Sequence, residues 1–195
     1  MKNYLFILPV LLLVGCAHSI NIAPNLSNNT RSDVKQIDVN VGYYISSEDL
    51  AREVISPGGG GDKVKYHPYK ELEPALFKTF SNIFRRAYAM KSPTDKAAIQ
   101  ANDITFVFIP KIETISSSDS MFTWPPTMFQ VKLTCQALNR DGNKIWEQQV
   151  TGQGNATFSE FKGNFSLAAQ KASEQAIAEL QSQLNVAPEL HKGVR

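Results

Sequence analysis

The stretch "TMFQVKLTCQALNRDGNKIWEQQVTGQG" (127–154) decides the fold class. Its first half, "TMFQVKLTCQALN", and its second, "KIWEQQVTGQG", read as two strands. Between them "NRDGN" supplies a hairpin turn with Asp141-Gly142 at its centre. Cys135 falls at an apolar-alternating position of the first strand, which suits a buried strand residue rather than a nucleophile. Trp146, in "KIWEQQV", reads as core.

Working outward, "NFSLAAQKASEQAIAELQSQL" places Leu167, Ala168, Ala172, Ala176, Ile177, Leu180 and Leu184 on one helical face, with Asn164 or Ser166 as its cap. Upstream, "ITFVFIPKIETI" (104–115) alternates Ile104, Phe106, Phe108 and Pro110 against Thr105, Val107 and Ile109. It reads as a strand, and Pro110 hints at an edge or a bulge. In "YKELEPALFKTFSNIFRRAYAM" the residues Leu72, Leu76, Phe80, Ile83, Phe84 and Ala87 recur on one helical face, with Arg85 and Arg86 late. Pro74 suits a first turn, so this helix is expected to start near Glu71 or Leu72. "VKQIDVNVGYYI" alternates Ile37, Val39, Val41 and Tyr43 as a strand, and "SPGGGGDK" (56–63) reads as a loop. The order is strand, helix, a short strand near 87–90, three strands and a helix. That predicts an α+β fold, a two-layer sandwich in which a mostly antiparallel sheet of about four to five strands carries two main helices. Residues 34–186 are expected to form one periplasmic domain, followed by a C-terminal tail over 187–195.

The N-terminus asks a different question. "YLFILPVLLLV" (4–14) is apolar but only eleven residues long and contains Pro9, whereas a spanning helix needs ~20 residues. With Lys2 ahead of it and small residues after it, the run has the layout of a secretory signal over 1–15. An ordinary signal cut after Ala17 is the plain alternative. The four residues Leu13-Val14-Gly15-Cys16 resemble the bacterial lipobox, and this resemblance implies a diacylglycerol on Cys16 after cleavage. An aspartate following the cysteine tends to retain such lipoproteins in the inner membrane. Ala17 stands there instead, which implies the outer membrane with the domain in the periplasm. Residues 16–33 are expected to be the lipidated N-terminus and a flexible tether, being rich in Asn and Ser.

Beyond the lipobox, "LNRDGNKIWEQQVTGQG" followed by the Ala-rich helix 165–184 resembles small outer-membrane lipoproteins of the YajG type. It is also similar to the periplasmic α/β unit of the curli secretion channel, the Pel polysaccharide lipoprotein and the penicillin-binding-protein activators. The resemblance rests on element order, and fold analogy alone does not deliver function.

Composition narrows the options. The chain of 195 residues carries Lys+Arg 20 against Asp+Glu 18. Losing Lys2 with the signal leaves 19 against 18, a net +1, with no basic surplus for nucleic acid. If Cys16 is acylated, Cys135 is the only remaining thiol and no intramolecular disulfide forms. The four N-x-[ST] sequons at Asn25, Asn28, Asn155 and Asn164 read as chance in a chain rich in these residues. "GGGGDK" is not a P-loop, because Asp62 stands where the lysine should follow glycine. His18, His67 and His191 are unpaired at helical spacing, no G-x-S-x-G elbow occurs, and the carboxylates are scattered. The expectation is no enzyme, no metal and no cofactor.

The aromatic tip "MFTWPP" (121–126) remains. Phe122, Trp124, Pro125 and Pro126 form a candidate partner-binding site, suited to a protein contact or a membrane-interface contact. Alternatively, Trp124 folds back to cap the core. Tyr43, Tyr44, Tyr66 and Tyr69 offer a rim for a peptide or glycan, or else buried rings with wet hydroxyls. The functional expectation is a non-enzymatic adaptor or assembly subunit of a cell-envelope complex for secretion, polysaccharide export or cell-wall synthesis. It would be held by acyl chains on Cys16 and joined to an envelope protein or to copies of itself. The alternative is a lipid or glycan carrier.

Overall fold

The computed structural model describes residues 17–25, 36–119 and 121–191. The lipobox residues through Cys16 therefore lie outside the described residues. The elements are β1 (Ala17–Ser19), β2 (Ile37–Tyr43), α1 (Ser47–Ala51), β3 (Val54–Pro57), β4 (Lys63–Tyr66), α2 (Pro68–Ile83), β5 (Phe84–Ala89), α3 (Lys96–Ala101), β6 (Ile104–Ser117), β7 (Met128–Leu138), β8 (Lys144–Asn155), α4 (Phe158–Phe161), α5 (Leu167–Val186) and α6 (Pro188–His191). The fold is α+β, with a five-stranded sheet ordered β5-β2-β6-β7-β8 and a three-stranded sheet ordered β1-β4-β3. The long strands β6, β7 and β8 pair antiparallel, while β2 lies parallel between β5 and β6.

Strand alternation builds the core. Phe129, Val131, Leu133, Cys135 and Ala137 are buried on one face of β7, and the residues between them are half-exposed. That buried face meets α5, and α2 lies beside α5 and covers β5, β6 and β2. Val107 points the other way from Phe106 and Phe108 and packs with Met90, Ile99 and Ile104 in a small second cluster under α3. The hairpin between β7 and β8 closes through Gly142 at φ 84°, as the Asp-Gly pair predicts. Pro110 is tolerated because β2 ends beside Phe108, leaving β6 paired only with β7 from there on.

Helix α2 differs from the sequence expectation at both ends. It starts at Pro68 rather than near Glu71, because proline fits the first helical position. The Glu71 carboxylate accepts the His67 N–H at 2.8 Å, and Pro74 is carried inside the helix. At the other end the 3–4 spacing runs on through Phe84 and Ala87, yet the chain turns into β5 at Phe84. Phe84 is buried against Phe108 at 5.3 Å, and Arg85 Nε donates to Asn40 Oδ1 at 2.9 Å. Pairing with β2 outweighs the local period, so the short strand expected at 87–90 becomes a longer one. The loop expected over 56–63 shrinks to 58–62, flanked by β3 and β4.

Two expectations about the ends are corrected. Residues 17–25 are not a tether. β1 pairs with β4, Ile20 and Ile22 are buried, and the Ile20 N–H donates to Lys65 O at 3.1 Å. The Asn21 N–H donates to Ser166 Oγ at 2.9 Å, Ile22 N–H to Glu71 Oε2 at 2.6 Å, and Asn25 N–H to Glu174 Oε1 at 3.0 Å. Two buried isoleucines outweigh the polar composition around them. Likewise Ala187 and Leu190 are buried, so residues 187–191 of the expected C-terminal tail belong to the core through α6.

Candidate functional site

Four segments converge beside the N-terminal strand. β1 runs parallel to β4 with Ala17 opposite Lys63, so the chain enters the sheet from the end where the 58–62 loop lies. That loop is not free. Gly59 N–H donates to Trp124 O at 2.8 Å, and Gly58 N–H to Asp62 O at 2.9 Å. A Cβ on Gly59 would stand 1.8 Å from Thr123 O, so the glycine run is the surface on which the aromatic tip rests.

Within the tip the candidate residues separate. Trp124 is half-buried and folds back, stacked on His18 with ring centroids 4.3 Å apart and tilted against Phe165 at 5.0 Å. Pro125 and Pro126 are buried, so they frame the tip and do not present a contact surface. Phe122 is 94% exposed and Met121 79%.

The fourth segment is 158–165. It contains α4, closed by a capping box in which the Thr157 N–H donates to Glu160 Oε2 at 2.8 Å. Lys171 Nζ donates to Glu160 Oε1 at 2.9 Å. The ammonium, joined by the Thr157 donors, holds the Glu160 carboxyl down at about 2. The cap sets the turn that places Phe158, 57% exposed, and with Phe165, 48% exposed, it extends the apolar surface. The signal was present as three phenylalanines in "FSEFKGNF".

Together these segments border an open groove of about 420 Å³, lined mainly by Met121, Phe122, Trp124, Phe158 and Phe165. The charged groups in its wall are Asp62, which faces His18 Nε2 at 3.6 Å, and Lys162, whose ammonium lies 5.2 Å from the Phe158 ring. Their signs cancel. Such a surface offers apolar contact rather than reaction chemistry. Among the described residues, no group of three or more His, Cys, Asp or Glu is placed to hold a metal.

The other sequence candidates lie elsewhere. Tyr43, Tyr66 and Tyr69 are buried, which removes them from any stacking rim and leaves Tyr44 half-exposed. The Tyr43 hydroxyl donates to the Glu73 carboxylate, while Tyr66 and Thr114 share a hydrogen bond of 2.7 Å. Ile112 N–H donates to the Tyr69 hydroxyl at 3.1 Å. Cys135 is buried, and loss of solvation pushes its thiol pKa far up, away from nucleophile chemistry. Trp146 is half-buried and meets Phe108 edge-on at 6.3 Å. His67 faces Glu53 at 3.8 Å, and His191 Nε2 lies 2.9 Å from Asn185 O.

No protein-family model matches the sequence, and no curated protein matches it. The fold is similar to that of protein XCC0632 from Xanthomonas campestris, of the family described as DUF330. That likeness has TM-score 0.51 and 11% identity over 90% of this chain and 94% of that one. A neuraminyllactose-binding hemagglutinin homolog from Helicobacter pylori, so described, gives TM-score 0.49 and 8% identity over 84% of this chain and 94% of that one. A PelC dodecamer from Paraburkholderia phytofirmans gives 0.41 and 13% over 75% and 95%. At these identities the likeness concerns the fold alone. Among the described residues no helix is long and apolar enough to cross a membrane.

Proposed function

We propose that this chain is a bacterial lipoprotein, anchored in the outer membrane by acyl groups on Cys16. Its α+β domain faces the periplasm and acts as a non-enzymatic adaptor or assembly subunit of a cell-envelope complex. The sequence Leu13-Val14-Gly15-Cys16 after a short apolar run carries the anchor reading, and Ala17 after it carries the outer-membrane reading. The observation that favours a contact role over chemistry is the groove itself, whose lining is aromatic and aliphatic and whose two charges cancel. The secretion, polysaccharide-export and cell-wall machines named by the sequence resemblance are the partner classes. A detergent pull-down of the full chain from its own membranes, beside a Cys16→Ala control, tests this. Envelope proteins co-purifying with the wild type support the adaptor role. An isolated protein arriving with bound lipid contradicts it and favours a carrier.

A further inference from the structure

We infer that the groove end of the domain is seated on the bilayer itself. On this reading Met121, Phe122, Phe158 and Phe165 are immersed in the interfacial layer to which Cys16 is anchored. The inference rests on the lipid-anchor reading above and adds an orientation to it.

The length of free chain between anchor and domain sets the orientation. A tether over 16–33 would let the domain hang away from the membrane in any orientation. Instead Ala17, adjoining the anchored residue, is already a strand residue paired with Lys63. Consecutive Cα atoms are ~3.8 Å apart, so the acylated cysteine sits within one residue of the folded domain. His18 is in turn fixed on Trp124. The face around Ala17 is thereby obliged to lie at the membrane surface. That face carries the exposed cluster of Met121, Phe122, Phe158 and Phe165.

Side-chain chemistry fits this occupant. Phenylalanine is among the residues that interfacial elements bury at the headgroup–acyl boundary, and an apolar face beside an acyl chain adds a second signal to the anchor. Within the groove Asp62 and Lys162 offset each other, so the contact it offers is apolar. The opposite end of the domain, at the Asp141-Gly142 turn, is the full length of β7 away. Its eleven residues span roughly 36 Å at ~3.3 Å each.

The test uses the full acylated chain with an environment-sensitive fluorophore on Phe122→Cys or, separately, on Asp141→Cys. Both positions are exposed, and Cys135 is buried. The protein is reconstituted in phosphatidylethanolamine–phosphatidylglycerol vesicles whose acyl chains are brominated near the headgroup, and its mass is measured intact. Bromine quenching several-fold stronger at 122 than at 141 is expected, and Phe158→Cys should behave like 122. Equal, weak quenching at both positions in protein of acylated mass overturns the seating while leaving the anchor intact. An unmodified Cys16 overturns both. Fluorescence enhanced at 122 without bromine quenching assigns the face to a protein contact and overturns the seating.

Discussion

His18 lies flat on Trp124, with ring centroids 4.3 Å apart and planes within 19°. This contact joins the N-terminal strand to the connection between β6 and β7, more than a hundred residues later. Removing it should loosen β1 before anything else. Trp124→Ala loses an aromatic pair, about 1 kcal/mol beyond its area. Amide exchange at Ile20 should therefore quicken by about five- to tenfold, with little change in the β7–β8 hairpin. Hydrogen exchange resolved by residue checks both halves.

The packing of α5 on β8 rests on missing side chains. A Cβ on Gly152 would stand 1.9 Å from the Ala172 carbonyl oxygen, and one on Gly154 equally close to that of Ala168. The obstacle is helix backbone, which cannot rotate away. Gly152→Ala should destabilise by about 3 kcal/mol, the upper end of the range for overpacking. The urea midpoint should fall accordingly.

Gly59 tests the loop against the tip. Its Cβ would meet Thr123 O at 1.8 Å, whereas one on Gly163 has nothing within 4 Å. Gly59→Ala should lift the tip and quicken proteolysis near 121–124. Gly163→Ala should leave the digestion pattern unchanged.

Glu160 links α4 to pH. Lys171 and the Thr157 donors hold its carboxyl at about 2, below the ordinary carboxylate value. The contribution of this group is present in full above about pH 4 and is lost as the pH falls through about 2. Glu160→Gln should remove that part of the acid slope of the melting temperature while leaving the slope near neutrality unchanged. A melting series from pH 2 to 7 on both proteins checks this.

Ser173 is buried on α5, and its Oγ has no hydrogen-bond partner among the described residues. Replacing an unsatisfied buried hydroxyl with a methyl group removes a desolvation cost. Ser173→Ala should be neutral to slightly stabilising in the same urea titration.

Much of this architecture was legible in the sequence wherever one periodicity ran uninterrupted. The alternation from Phe129 to Ala137, the Asp-Gly turn and the α5 face all follow from it. Legibility failed where a long-range partner decided the outcome. Phe84 satisfies a helical spacing, but β2 claims it. Ile20 and Ile22 are two apolar residues in a polar stretch, too few to signal a strand without β4 and Glu71 beside them. The site was visible in parts, as a glycine run and an aromatic tip. Nothing in either part announced that Gly59 supports Trp124, because that contact spans 65 residues of chain. Likewise nothing in "KIWEQQVTGQG" announced that Gly152 and Gly154 make room for the backbone of α5 at Ala172 and Ala168.

Everything proposed about location depends on the anchor at Cys16, which can be read from the intact mass of the full chain extracted from its own membranes. Loss of residues 1–15 together with a gain of acyl mass is expected, both abolished in Cys16→Ala. A mass that retains Gly15 or shows an unmodified Cys16 would contradict it.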